Sequence, residues 1–330
     1  LCPDGDFLWG DAFFDHYMKP QLARFTDGGM YRDPGDPITY DITTRLQFAC
    51  ALAHGYRGPL RPALEELLRR GGLTTLLMLS PDGFVPYGGR SAAFHAQEAI
   101  IAALCELEAQ RYAACDERLA GAFKRQAHRS VLSVRRWLAD MTPWRHTKNG
   151  FPPETSHGID KYGQYSVYSL VQASFLGLAA QFADDEIAEA PCPAETGGFA
   201  FELAPAFHKI FVNGAGSFLE IDTAADLAYD ATGLGRFLVC GIPMELGPAM
   251  PFPVPSERYG GPAVATAPDC RLPDSPVAVG PAWKSGEGWE TLAGLGDGVR
   301  HRFRTRNGPG ESVRCVVAYG CKGRMISEAY

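Results

Sequence analysis

The chain has 330 residues, enough for one large domain and a smaller one, with 46% hydrophobic and 21% charged residues. Its net charge is −7, from 31 basic and 38 acidic side chains, and no Lys/Arg-rich block interrupts that balance. These values exclude a disordered chain, and they argue against a nucleic-acid partner. No apolar run is long enough to cross a membrane.

Residues 7–25 read as a first helix interrupted by Pro20. Its aromatic stripe, Trp9, Phe13, Phe14 and Tyr17, fits core packing or a platform for a sugar ring. Residues 26–38 form a loop rich in Gly, Pro and Asp, in which Arg32, Asp33 and Asp36 fit a solvated turn. A second helix is predicted over 39–55, with Asp41 and Arg45 at i, i+4 as a surface pair. Asp41 is also a candidate to face a pocket. Residues 60–79 are helical by pattern, with Glu65–Arg69 as an exposed pair and Gly71–Gly72 as a break.

The stretch from Asp82 to Glu108 organises the rest. It opens as a turn, passes through Gly88–Gly89 and enters a helix predicted over 91–113. Glycines admit backbone conformations closed to other residues, and a helix start offers free N–H groups and a positive field. Arg90 adds a planar fork suited to a carboxylate. His95 and Glu98 share a face at i, i+3 and can orient or exchange a proton. The junction is therefore expected to line a pocket for an acidic sugar.

A helix over 116–140 shows a basic face (Lys124, Arg125, Arg129, Arg135, Arg136) that reads as solvated surface. The loop 142–158 is dense in polar and aromatic groups and feeds a helix over 159–182. On that helix Tyr162, Tyr165, Ser169 and Gln172 share one polar face. About six helices joined by short loops fit a barrel of helix pairs. After Ala190 the texture changes. Residues 199–330 alternate in short runs with turn glycines and read as mostly β, with a proline-rich excursion over 245–281. The expected division is a helical domain over 1–190 and a truncated β-sandwich domain over 191–330. The absence of an initiator Met and the strand-like last residues lead to the expectation of a fragment of a longer chain.

Glu98, Glu154, His157 and Tyr162 are the candidate catalytic residues. Two carboxylates serve hydrolysis of a glycosidic bond, one protonating the leaving oxygen and the other activating water or attacking. Tyrosine and histidine serve when a proton α to a carboxyl group is removed. Tyr87, Arg90, His95, Trp144, Tyr165 and Asp41 are the candidate substrate contacts, with Trp144 stacking on a sugar face. The nine cysteines form no CxxC or Cys/His cluster, so no zinc site is expected. Their usage favours a reducing, cytoplasmic setting. A P-loop, GxGxxG, GxSxG and HExxH are absent from the sequence, which disfavours nucleotide-dependent enzymes, α/β-hydrolases and zincins.

Four segments carry a resemblance: VPYGGRSAAFHAQEA, HGIDKYGQYSVYSLVQASFLGLAA, HKIFVNGAGSFLEIDTAADLAYDATGLGRF and GPAWKSGEGWETLA, in that order. Together they resemble bacterial glycan-degrading enzymes with an α/α toroid followed by an antiparallel β-sandwich. Among these are toroid β-glucuronidases and the wider heparinase II/III-like lyases. The resemblance implies a mostly α chain with an incomplete (α/α) toroid, then an antiparallel β-sandwich. It implies a cleft lined by Arg90, His95, Glu98, His157, Tyr162 and Tyr165, and a partner that is an oligo- or polysaccharide containing uronic acid. The lyases carry a His-x-His-x-Asp segment early in the β-domain. The corresponding region here, GSFLEIDTAADLAYDATG, lacks those histidines. Hydrolysis without a metal or other cofactor is therefore the first expectation. A β-eliminating lyase is the second, and a non-catalytic glycan-binding protein the third. Homo-oligomerisation is left open.

Overall fold

The computed structural model describes residues 7–92, 94–139, 167–214, 217–224 and 233–238, with short strands between 245 and 329. Helix α1 (Phe7–Met18) passes into a 3-10 turn (Lys19–Arg24) whose first turn holds Pro20. Proline tolerates that position because its missing N–H has no partner there anyway. Within the α1 aromatic stripe, Phe13, Phe14 and Tyr17 are not core. Phe13 is 61% and Tyr17 57% exposed. They pair with each other at 4.6 Å, and Phe14 leans edge-on against Tyr56.

Helix α2 (Ile38–Ala53) starts directly after Pro37 and buries Ile38, Ile42, Leu46 and Ala49 along one stripe. Helix α3 (Arg61–Met78) runs through Gly71 and Gly72 without the predicted break. A side chain on Gly71 would collide with the Gly29 carbonyl and come within 2.8 Å of Arg45 Cδ, while one on Gly72 would press on Glu108 and Phe123. The glycines are there to let a loop and three helices approach α3. That packing offsets a helix-propensity cost of about 1 kcal/mol each. The predicted Glu65–Arg69 pair is replaced by Arg61–Glu65 at 2.8 Å and by Glu66 between Arg69 and Arg70. Hydrogen bonds from those two arginines hold the Glu66 carboxyl down at about 2.

Helix α4 (Ala96–Tyr112) is buried on every face from Ala96 to Ala109. It packs against α2, α5 (Glu117–Ala139) and α6 (Val167–Phe182) and is the axis of the helical part. The α5 basic face is solvated at Arg135 and Arg136, part-buried at Arg125 and Arg129, and buried at Lys124. Lys124 is 2% exposed and pairs with Glu106 at 3.1 Å. Arg125 and Arg129 both grip Glu195, at 2.6 and 2.8 Å. Those arginines fasten the connector after α6 to α5. No helix among the described residues is long and apolar enough to cross a membrane.

The change from helix to strand falls between Phe182 and Phe199, with the single-turn α7 (Pro193–Thr196) between them. Strands β1 (Phe199–Leu203), β2 (Lys209–Gly214), β3 (Ser217–Asp222), β4 (Gly233–Leu238) and β5 (Glu245–Leu246) form an antiparallel meander in that order. Strands β6 (Cys270–Arg271) and β7 (Ala278–Val279) pair with each other. Strands β8 (Trp289–Thr291), β9 (Val299–Arg304), β10 (Cys315–Cys321) and β11 (Arg324–Ala329) make a second antiparallel sheet. In the first sheet, alternation buries Lys209, Phe211 and Asn213 of β2 and Phe218, Glu220 and Asp222 of β3. One buried face thus mixes aromatic rings with charges. Lys209 and Asp222 satisfy each other at 2.6 Å.

Candidate functional site

The GGR lead-in is a junction of two loops. Gly88, Gly89 and Ser91 take φ of 101°, 78° and 62°. At Gly89 a Cβ would stand 2.9 Å from Pro37 Cα, so glycine is required both by conformation and by contact. Helix α4 therefore starts at Ala96 rather than at Ser91, and His95 is its N-cap residue. Ser91 is a rare non-glycine at positive φ. Its carbonyl accepts from Thr39 Oγ1 at 3.0 Å, and Gln97 Nε2 donates to the same hydroxyl at 2.6 Å. The first turns of α2 and α4 are stitched together at this point.

Arg90 projects from the junction. Its guanidinium lies over the Tyr40 ring, 4.5 Å from the centroid, and Nη2 donates to Asp33. The Arg90 side chain is 38% exposed. A ring beneath the plane and a carboxylate at one corner fix the fork; its Nε is buried, and the part-exposed end of the guanidinium is the side that can meet a planar anion.

The other predicted residues divide. Tyr87, His95 and Glu98 are buried in the same loop–helix region, and Glu98 Oε1 accepts the Val85 N–H at 3.0 Å. Asp41 is fully buried and faces inward. Its carboxylate takes Arg45 through two hydrogen bonds of 2.9 and 2.6 Å and also accepts the Tyr31 N–H. The i, i+4 pair forms, as core rather than as surface. Burial pushes the Asp41 carboxyl up, against the pull of Arg45. Glu154, His157, Tyr162, Tyr165 and Trp144 lie outside the described residues.

Two groups at this junction were not singled out from the sequence. Glu220 on β3 accepts the Tyr87 N–H at 3.0 Å, and Arg236 on β4 donates to the Val85 carbonyl at 3.0 Å. Burial pushes the Glu220 carboxyl up. The signal was present in the period-2 pattern of Phe218, Glu220 and Asp222, which places two carboxylates on one face.

A further buried carboxylate sits deeper on α4. Glu108 is 3% exposed, 3.1 Å from Arg111 Nε, and lies under Gly72. Desolvation raises it from an ordinary value near 4.5 to about 7 despite Arg111 and Arg45. A carboxyl raised in the folded state binds its proton more tightly there than in the unfolded chain. Its contribution is therefore complete below pH 4.5 and is lost as pH climbs through 7. The whole effect is worth about 3 kcal/mol. Glu108→Gln should leave stability unchanged near pH 4 and raise it by up to that amount at pH 8. Urea unfolding across the range measures this; a gap that does not widen between those pH values contradicts it.

No group of three or more His, Cys, Asp or Glu side chains able to hold a metal ion is found among the described residues. The chain matches no protein-family model, and no similar curated protein or solved structure is found.

Proposed function

We propose that this protein is a carbohydrate-active enzyme that cleaves glycosidic bonds at uronic-acid residues, with hydrolysis as the reaction. In this reading the helices belong to an (α/α) toroid and the sheets to a β-sandwich. The observation that carries it is Arg90: a guanidinium held over the Tyr40 ring, anchored by Asp33 and part-exposed at the mouth of a buried helix. Such a fork recognises a sugar carboxylate through two parallel hydrogen bonds, and the Tyr40 ring adds an apolar surface beside it. His95 and Glu98 lie at the same junction. Glu98 and Glu154 are the proposed carboxylate pair, one giving a proton to the leaving oxygen while the other activates water or attacks the anomeric carbon. His95 and His157 tune protonation. Tyr87, Tyr162 and Tyr165 form hydrogen-bonding walls, and Trp144 stacks on a sugar face.

Incubation with glucuronate-terminated oligosaccharides, followed by mass and ultraviolet analysis, tests the reading. The expected products carry one added water and no new absorbance. A new absorbing double bond without added water overturns hydrolysis in favour of β-elimination. Saturable binding with no product at all leaves a glycan-binding module.

A further inference from the structure

Residues 84–89, which end in Gly88 and Gly89, lead into Arg90, and charged side chains hold main-chain groups of this segment. Glu98 of α4 takes the Val85 N–H, Arg236 of β4 takes the Val85 carbonyl, and Glu220 of β3 takes the Tyr87 N–H, each at 3.0 Å. Phe84 is gripped by cations on two elements, with Arg236 5.2 Å and Arg136 of α5 4.9 Å from its ring centroid.

The sheet is shaped for this contact. Glu220 and Arg236 are direct cross-strand partners, 3.6 Å apart as an ion pair. The β3–β4 register shifts immediately after Glu220, the kind of irregularity that re-aims a side chain. Gly235 leaves room for the carboxyl: a Cβ there would stand 3.2 Å from Glu220 Cδ. Glu220 is fully buried, and its Oε1 has no hydrogen-bond partner among the described residues. A buried carboxylate is costly unless it is paired and hydrogen-bonded. Here one oxygen is committed to a loop amide.

We propose that Glu220 and Arg236 are positioning residues of the sheet that hold the 84–89 segment, and through it aim Arg90 at its ligand. The helical part supplies the ligand-binding group and the sheet fixes its direction. The ligand part of this inference rests on the reading of Arg90 as a carboxylate-binding group; the positioning part does not.

Amide exchange and the Arg90 Nε–H resonance, followed by NMR in the full chain, separate the two. In Glu220→Ala the Tyr87 amide should exchange at least tenfold faster, and the Arg90 resonance should move toward that of a free side chain. Glu220→Gln keeps an acceptor for Tyr87 and should restore both. Phe218→Leu, on the same strand and buried face, should change neither. Should Glu220→Ala fail to fold, Arg236→Met releases the Val85 carbonyl and should shift the same Arg90 resonance. Unchanged Tyr87 exchange and Arg90 resonance in a folded variant overturn the proposal. Titration with a glucuronate-terminated trisaccharide is the second arm. At least tenfold weaker binding by Glu220→Ala than by the unsubstituted protein supports both parts. If the unsubstituted protein does not bind while the Arg90 resonance still responds, positioning stands and the glycan reading falls.

Discussion

Asp41→Asn is expected to cost the fold about 3–5 kcal/mol, because it strands a buried guanidinium. Arg45 is 1% exposed and spends Nε and Nη2 on the Asp41 carboxylate. Asparagine keeps an acceptor oxygen for the Tyr31 N–H but loses the charge, and it cannot accept both guanidinium bonds. Among the described residues, the Glu108 carboxyl that also feels the Arg45 charge already serves Arg111. The double change Asp41→Leu with Arg45→Met should be milder than the single one, since no buried charge then lacks its partner. Urea unfolding of the three variants decides it. A single substitution costing under about 1 kcal/mol would mean that Arg45 re-pairs, and the buried-pair account would fall.

That pair also shows what could be read from the residues and what could not. The i, i+4 spacing of Asp41 and Arg45 predicts contact correctly, because it depends only on helix geometry. Whether the pair is wet or dry depends on what covers α2, and that is tertiary. The same limit explains Lys124, which has the look of one more cation on a basic face but lies buried under Glu106. It explains α3 as well. Gly71 and Gly72 are breakers by propensity, yet Gly29 and Arg45 at the first, and Glu108 and Phe123 at the second, pack where side chains would have been. Local signals served better where they were purely local. Pro20 ends α1 and starts the 3-10 turn, Pro37 precedes α2, and Gly88–Gly89 mark the loop that leads into α4. At the candidate site, Arg90 was legible because its glycine lead-in is contiguous. Its partners Asp33 and Tyr40 come from a loop and helix fifty or more residues earlier, and Glu220, which holds the nearby Tyr87, comes from a strand 133 residues after that tyrosine. No local period could have joined them.

On the proposed uronate reading, Arg90→Ala is the substitution with the largest expected effect on substrate binding. Charge-assisted hydrogen bonds are worth about 1.5–3 kcal/mol, so losing the fork should weaken binding of a glucuronate-terminated oligosaccharide about a hundredfold. The stability cost should stay within about 1 kcal/mol, because the Arg90–Asp33 pair is partly solvated. The carboxylate of a uronic acid is remote from the bond that breaks. Its loss should therefore raise KM far more than it lowers kcat. Arg90→Lys should not rescue, since an ammonium cannot lie flat on Tyr40 or present two parallel N–H groups. Asp33→Asn should fall between the unsubstituted protein and Arg90→Ala: the guanidinium keeps its ring but loses the carboxylate that fixes its corner. A neutral glucose-terminated analogue should be indifferent to all three changes. If Arg90→Ala processes the acidic and the neutral sugar with unchanged preference, Arg90 is an internal tie to Asp33, and recognition of a uronate at this junction is wrong.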